Sequence, residues 1–126
     1  MTGQILIVDD DLDIRETLCE LLEAEGYQCT GAANGQEALL SLREQPCPDL
    51  ILLDLMMPVM DGFDFRSAQL ESESWRQIPV IVVSASGRSK QAARDMAAAD
   101  YLEKPIDVAL LLQKVRSLCA LHEGNG

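Results

Sequence analysis

Three short apolar runs punctuate the chain: Ile5 to Val8, Leu50 to Leu53 and Pro79 to Val83. Each is continuous rather than alternating, and rich in branched side chains. That is the pattern of strands covered on both faces. Two weaker strands fit at Tyr27 to Ala32 and at Asp100 to Glu103.

Segments of helical period lie between these runs. Asp13 with Glu16 reads as a capping-box opening to a helix whose apolar stripe is Ile14, Leu18, Leu21 and Leu22, ended by Gly26. Asn34 with Glu37 repeats the device before Ala38, Leu39 and Leu42. A third helix is predicted to begin at Asp61 or Gly62, and a fifth at Asp107 with Leu111, Val115 and Leu118 on one face. The fourth, around Lys90 to Ala99, has helix-forming alanines but only Met96 as a large apolar anchor, so thin packing is expected there.

Strand and helix alternating five times predict a doubly wound α/β domain, a parallel sheet with helices on both faces joined by right-handed crossovers. In such sheets functional groups collect outside the carboxyl ends of the strands.

At 126 residues the chain suits one domain, able to bury roughly two-thirds of its unfolded surface. With 10 basic against 21 acidic residues its formal charge is -11. Such a surface repels phosphate backbones and anionic lipid, which argues against direct nucleic-acid or membrane binding. The N-terminus lacks the basic flank and long apolar run of a signal peptide, so a cytoplasmic protein is expected. Cys19, Cys29, Cys47 and Cys119 are scattered, and the single histidine, His122, lies near the tail. They are expected to be reduced, mostly buried thiols rather than metal ligands.

The residues that follow the strands form a pattern. Asp9 and Asp10 follow the first, Asp54 the third, Ser84 the fourth and Lys104 the fifth. Each has an ordinary explanation alone: a helix cap, a turn residue, a surface charge. Together they bring three acids, a hydroxyl and an amine to one rim.

Two unit charges about 5 Å apart repel by roughly 3 kcal/mol at an effective dielectric near 20. Three carboxylates so placed want a counterion. With only oxygen donors on offer, the choice falls on a hard ion, Mg2+ or Mn2+, with phosphate oxygens as natural further ligands. Metal, lysine and hydroxyl around a carboxylate make a phosphoryl-transfer site in which a carboxylate can be the nucleophile. Asp54, presented at the end of a buried strand, is the candidate nucleophile, and Asp9 with Asp10 the metal-holding pair. Pro58 and Gly62 in "LMMPVMDG" stiffen the loop that follows.

At "ILIVDDD", "LILLDLMMPVMDG", "VIVVSAS" and "YLEKP" the chain resembles the receiver domain of bacterial two-component response regulators, over essentially its whole length. The resemblance implies a flavodoxin-like fold with strand order 2-1-3-4-5. It also implies a phosphoryl group taken onto Asp54 from a histidine kinase or phosphotransfer protein. Asp10, Asp54 and the backbone carbonyl of Met56 would ligate magnesium, with Asp9 helping through water. Ser84 would bond a phosphoryl oxygen, Lys104 would pair with its charge, and Tyr101 would act as an aromatic switch following Ser84. The Lys104–Pro105 bond would be cis. Output would pass to a protein target through the face of the fourth helix, fifth strand and fifth helix, a surface that also serves homodimers. Met56 and Ser86 occupy positions that influence water access to the phosphoryl group.

Three departures accompany the resemblance. Ser84 stands where threonine is commoner and lacks the methyl that helps fix the rotamer. The spacing from Ser84 to Lys104 is short, and Ala98-Ala99 replaces the usual Gly-Ala, so the fourth helix or its preceding loop "SGRSK" must be shortened. The chain ends at "HEGNG" without an effector domain, which makes it a stand-alone regulator or a fragment. Two other readings compete. A haloacid-dehalogenase-type phosphatase would use the Asp-x-Asp patterns in "DDDLD" but leave the Asp54 motif unexplained. A binding module that is never phosphorylated would have no use for an intact pocket.

Overall fold

A computed structural model describes residues 3–85 and 87–124, the last five as helix backbone only. Ser86 and the side chain of His122 lie outside the described residues. Five strands alternate with five helices: β1 (Gln4–Val8), α1 (Leu12–Ala24), β2 (Gln28–Ala32), α2 (Gly35–Glu44), β3 (Leu50–Asp54), α3 (Gly62–Glu71), β4 (Val80–Ser84), α4 (Ser89–Asp95), β5 (Asp100–Glu103) and α5 (Val108–Gly124). The strands form one parallel sheet in the order β2-β1-β3-β4-β5. This is the doubly wound architecture the alternation predicts.

Side chains alternate across the sheet and divide the core in two. Leu6, Val8, Ile51, Leu53, Val80 and Val82 face Ala38 and Leu42 of α2, Phe65 of α3 and the α4 segment. Ile5, Ile7, Leu50, Leu52, Ile81 and Val83 face Leu18 and Leu22 of α1 and Leu111 and Val115 of α5. Every residue of β3 and β4 is buried, which is why these strands read as unbroken apolar runs. Among the described residues no helix is long and apolar enough to cross a membrane.

Helix starts follow side-chain chemistry, with one correction. Asn34, Asp61 and Asp107 each accept a hydrogen bond from the backbone N–H three residues on, as expected of caps. The first helix is capped by Asp11 and not by Asp13: the Asp11 carboxylate accepts from the N–H groups of Asp13 at 2.9 Å and Ile14 at 3.3 Å. Asp11 holds the extended backbone a cap requires, whereas Asp13 already lies in the first turn.

Two helix ends share one geometry but not one residue type. α1 closes with Tyr27 N–H on the Leu22 carbonyl and Gly26 N–H on that of Glu23, Gly26 taking φ 97°. α4 closes the same way, Ala98 N–H on Ala93 and Ala97 N–H on Arg94, with Ala97 at φ 54°. The predicted helix over Lys90 to Ala99 therefore stops at Asp95, because Ala97 turns left-handed without a glycine to announce it. α4 is anchored more firmly than its sequence suggests. Ala92, Ala93 and Met96 are buried. Buried Arg66 of α3 also donates to the carbonyls of Met96 at 3.0 Å and Ala97 at 2.9 Å, and to Gln69 at 2.7 Å.

The cysteines depart from expectation. Cys119 is buried, Cys19 and Cys29 are half-buried, and Cys47 is exposed.

Because alanine is strained in the left-handed region, Ala97→Gly is expected to raise unfolding free energy by about 1 kcal/mol in urea denaturation. A loss of stability would show that the Ala97 methyl contributes packing that outweighs the strain.

Candidate phosphoryl-accepting site

Sheet register assembles the site. Val8 lies opposite Leu53, so the next residues, Asp9 and Asp54, emerge side by side. Asp54 lies opposite Val83 and Ser84 opposite Glu103, which sets Ser84 and Lys104 one step further along the same rim. Asp54 and Ser84 are the last residues of their strands rather than the first beyond them, so both sit on hydrogen-bonded backbone. Asp9, Asp10, Asp54, Met56, Ser84 and Lys104 line one cleft of about 280 Å³ with Asp11, Ile14 and Ala85.

The Lys104 Nζ donates to Asp9 Oδ2 at 2.9 Å and lies 3.7 Å from Asp54 Oδ1. Asp9, Asp54 and Ser84 are buried, while Asp10 is exposed at the mouth. Asp9 is held on several sides: its N–H donates to the Ala32 carbonyl, its Oδ1 accepts from Asp11 N–H, and its carbonyl accepts from Arg15 Nη1 at 2.7 Å. Lys104 is placed by its own N–H on the Ser84 carbonyl, and the Lys104–Pro105 peptide is cis, as the resemblance implies.

The loop after β3 is equally constrained. A Cβ on Gly62 would lie 2.5 Å from the Asp54 carbonyl oxygen, and Gly62 N–H donates to Leu55 O at 3.0 Å. Only glycine lets α3 start against the backbone of the nucleophile candidate. Within the loop Val59 takes φ 69°, with Met60 N–H on the Pro58 carbonyl. Such a conformation is costly for a branched residue, and Met56, at the start of the same loop, lines the cleft 72% exposed.

Charge in the cleft is unbalanced, with four carboxylates, Asp9, Asp10, Asp11 and Asp54, against one ammonium. Burial, and then the charge of Asp9, push Asp54 up to about 6, against smaller lowering by Lys104 and the backbone of Met56. Burial alone would lower the Lys104 ammonium, but its hydrogen bond to Asp9 and the charges of Asp9, Asp54 and Asp10 outweigh this and raise it. Lys104 is therefore cationic at neutral pH, and its shorter contact serves Asp9 more than Asp54. One oxygen from each of Asp9, Asp10 and Asp54 lies within 4.8 Å of the others. A set of hard oxygen donors with surplus negative charge fits a divalent cation.

A model of the response regulator receiver domain matches residues 5–116. The chain belongs to the response regulator receiver family. The receiver is 41% identical over 117 residues to an uncharacterised 14.6 kDa protein of Leptolyngbya boryana, covering 91% of this chain and 88% of that one. It is 35% identical over 120 residues to the phosphate regulon transcriptional regulatory protein PhoB of Escherichia coli, covering 94% of this chain but only 52% of that protein. The signal receiver domain of a signal transduction histidine kinase from Syntrophus aciditrophicus superposes with a TM-score of 0.85 at 34% identity, covering 94% and 91% of the two chains.

Of the residues singled out in sequence, Tyr101 lies apart from the cleft. It is half-buried against the core on the α2, α3 and α4 side of the sheet. Lys114 of α5, which no sequence motif marks, lies 4.6 Å above its ring centroid and donates to the Tyr101 carbonyl and to Asp100. Arg15 was likewise unmarked, its reach to the Asp9 carbonyl depending on how α1 docks.

Because folded Asp54 keeps its proton to about pH 6 and unfolded Asp54 only to about 3.8, the folded state binds more protons between those values. Stability from this group therefore falls as pH rises through that window and stays lower above it. In metal-free buffer Asp54→Asn is expected to be more stable than the parent by about 1 to 3 kcal/mol at pH 7.5, with the difference vanishing near pH 4. A variant less stable than the parent at pH 7.5 would mean that Asp54 is well compensated.

Proposed function

We propose that the receiver accepts a phosphoryl group on Asp54 from a phosphohistidine of a histidine kinase or phosphotransfer protein, and relays it as a change of protein-binding surface. The observation that carries the reading is a buried carboxylate at a strand end, 3.7 Å from a cationic lysine and beside two further carboxylates. Asp9, Asp10, Asp54 and the Met56 carbonyl would hold Mg2+ or Mn2+, which supplies neutralisation of phosphoryl charge.

The transfer itself falls to the chain's own groups. An Asp54 carboxylate oxygen attacks phosphorus, the phosphorus–nitrogen bond breaks, and the electron pair leaves with the imidazole. Lys104, already close to Asp54, shifts its ion pair toward the new phosphoryl oxygens, and the Ser84 hydroxyl donates to another of them. These displacements pull on the rim of β4 and β5. Tyr101 lies on β5 under Lys114, so a moved Ser84 shifts the balance of two arrangements of the α4–β5–α5 face. A protein target, or a second copy, reads that face. The cycle makes the receiver a catalyst only of its own phosphorylation and hydrolysis, acting in the cytoplasm without direct contact to nucleic acid.

Incubated with magnesium and acetyl phosphate, the protein is expected to gain one phosphoryl group by intact mass, and Asp54→Ala none. Absence of a gain would leave a binding module that keeps the fold, while steady turnover of phosphate esters would mean a phosphatase. Magnesium is also expected to raise the melting temperature, and Asp10→Ala to remove most of that rise. Equal shifts in both proteins would locate the metal elsewhere.

A further inference from the structure

We propose that Cys19 and Cys29 form a redox-active thiol pair, a modification site at which a reversible disulfide ties α1 to β2. The two thiols come from elements joined by the tight Gly26 turn and stand across one seam: Arg15 lies against Gly31, Cys19 is one turn further along α1, and Cys29 lies on the same face of β2 as Gly31. Both pack half-buried on the α1 and α5 side of the sheet, where Cys29 lies opposite Ile5 of β1. Cys19 also lines an open groove of about 490 Å³ with Arg15, Glu16, Glu20, Glu23 and Gly31, so a small reagent reaches it from solvent. Cys119 belongs to the same core layer but is buried, and Cys47 is exposed on the α2–β3 connection.

The chemistry is thiol–disulfide exchange with a low-molecular-weight disulfide of the glutathione type. The Cys19 thiolate attacks one sulfur of that disulfide, whose bond breaks. One external thiol leaves with the electron pair, and a mixed disulfide remains on Cys19. Cys29, losing its proton, then attacks the Cys19 sulfur and expels the second external thiol. Two protein thiols are oxidised by two electrons and the external disulfide is reduced to two thiols.

Burial raises both thiols above the ordinary value, Cys29 to about 12, with Glu23 adding to the rise in each. The pair therefore reacts more slowly than a surface cysteine, and Cys19 is the attacking member. The bond would fasten a seam with a role in the site. Arg15, one turn before Cys19, lies against Gly31 of β2 and holds the Asp9 carbonyl.

The test uses the folded full chain carrying Cys47→Ser, treated with excess oxidised glutathione at about pH 8 and read by intact mass and non-reducing peptide mapping. The expected product has lost the mass of two hydrogen atoms, contains a Cys19–Cys29 linked peptide, and reverts with dithiothreitol. The further variant Cys29→Ser is expected to stop at a glutathione adduct on Cys19. Stable adducts without the linked peptide would overturn the proposal. So would a link to Cys119, or a fold that stays unreacted while the urea-unfolded chain oxidises.

Discussion

Two carboxylates, Asp9 and Asp54, are buried beside one ammonium, and the rest of the site is arranged around that imbalance. The Lys104 Nζ sits at 2.9 Å from the first and 3.7 Å from the second, and Asp10 adds a third negative charge at the mouth. Burying unpaired charge is costly, so the fold must hold these groups against their repulsion. It does so with backbone. Asp54 and Ser84 are hydrogen-bonded strand residues, Asp9 is gripped by Ala32, Asp11 and Arg15, and Lys104 is tied to Ser84. A cleft under such tension is primed for a cation and for phosphoryl oxygens, the two things that rebalance it.

The two-sided core makes this rigidity possible. Continuous apolar rows on both faces fix the register of β1, β3 and β4, since a slip of one residue would send each row to the opposite layer. Register in turn fixes which side chains share the rim. Gly62 carries the same precision into the next element by letting α3 begin against the Asp54 carbonyl.

Much of this could be read from the residues. The strong strands declared themselves because burial on both faces leaves no polar positions, and the rim residues followed from where those runs stop. Boundaries blurred where local signals conflicted. Asp11 and Asp13 both have the side chain of a cap, and the extended backbone at Asp11 decides for it. The sequence extends α4 to Ala99 because Ala97 adopts a conformation that glycine usually signals, as Gly26 does for α1. Arg66, Arg15 and Lys114 carry no signal at all: each reaches from a helix to a backbone carbonyl outside it, a partner that any residue could offer. The nearness of Cys19 and Cys29 across the α1–β2 seam is likewise silent in sequence, since neither spacing nor composition distinguishes them from scattered structural thiols.

The central claim is that the acidic cleft is electrostatically unsatisfied until a cation enters. The most direct measurement is the ionisation of Asp54 itself, followed by carbon-13 NMR of its carboxyl in metal-free buffer and again with saturating magnesium. A midpoint near 6 is expected without metal, with a fall well below it in magnesium. An ordinary carboxylate midpoint that magnesium leaves unmoved would contradict it.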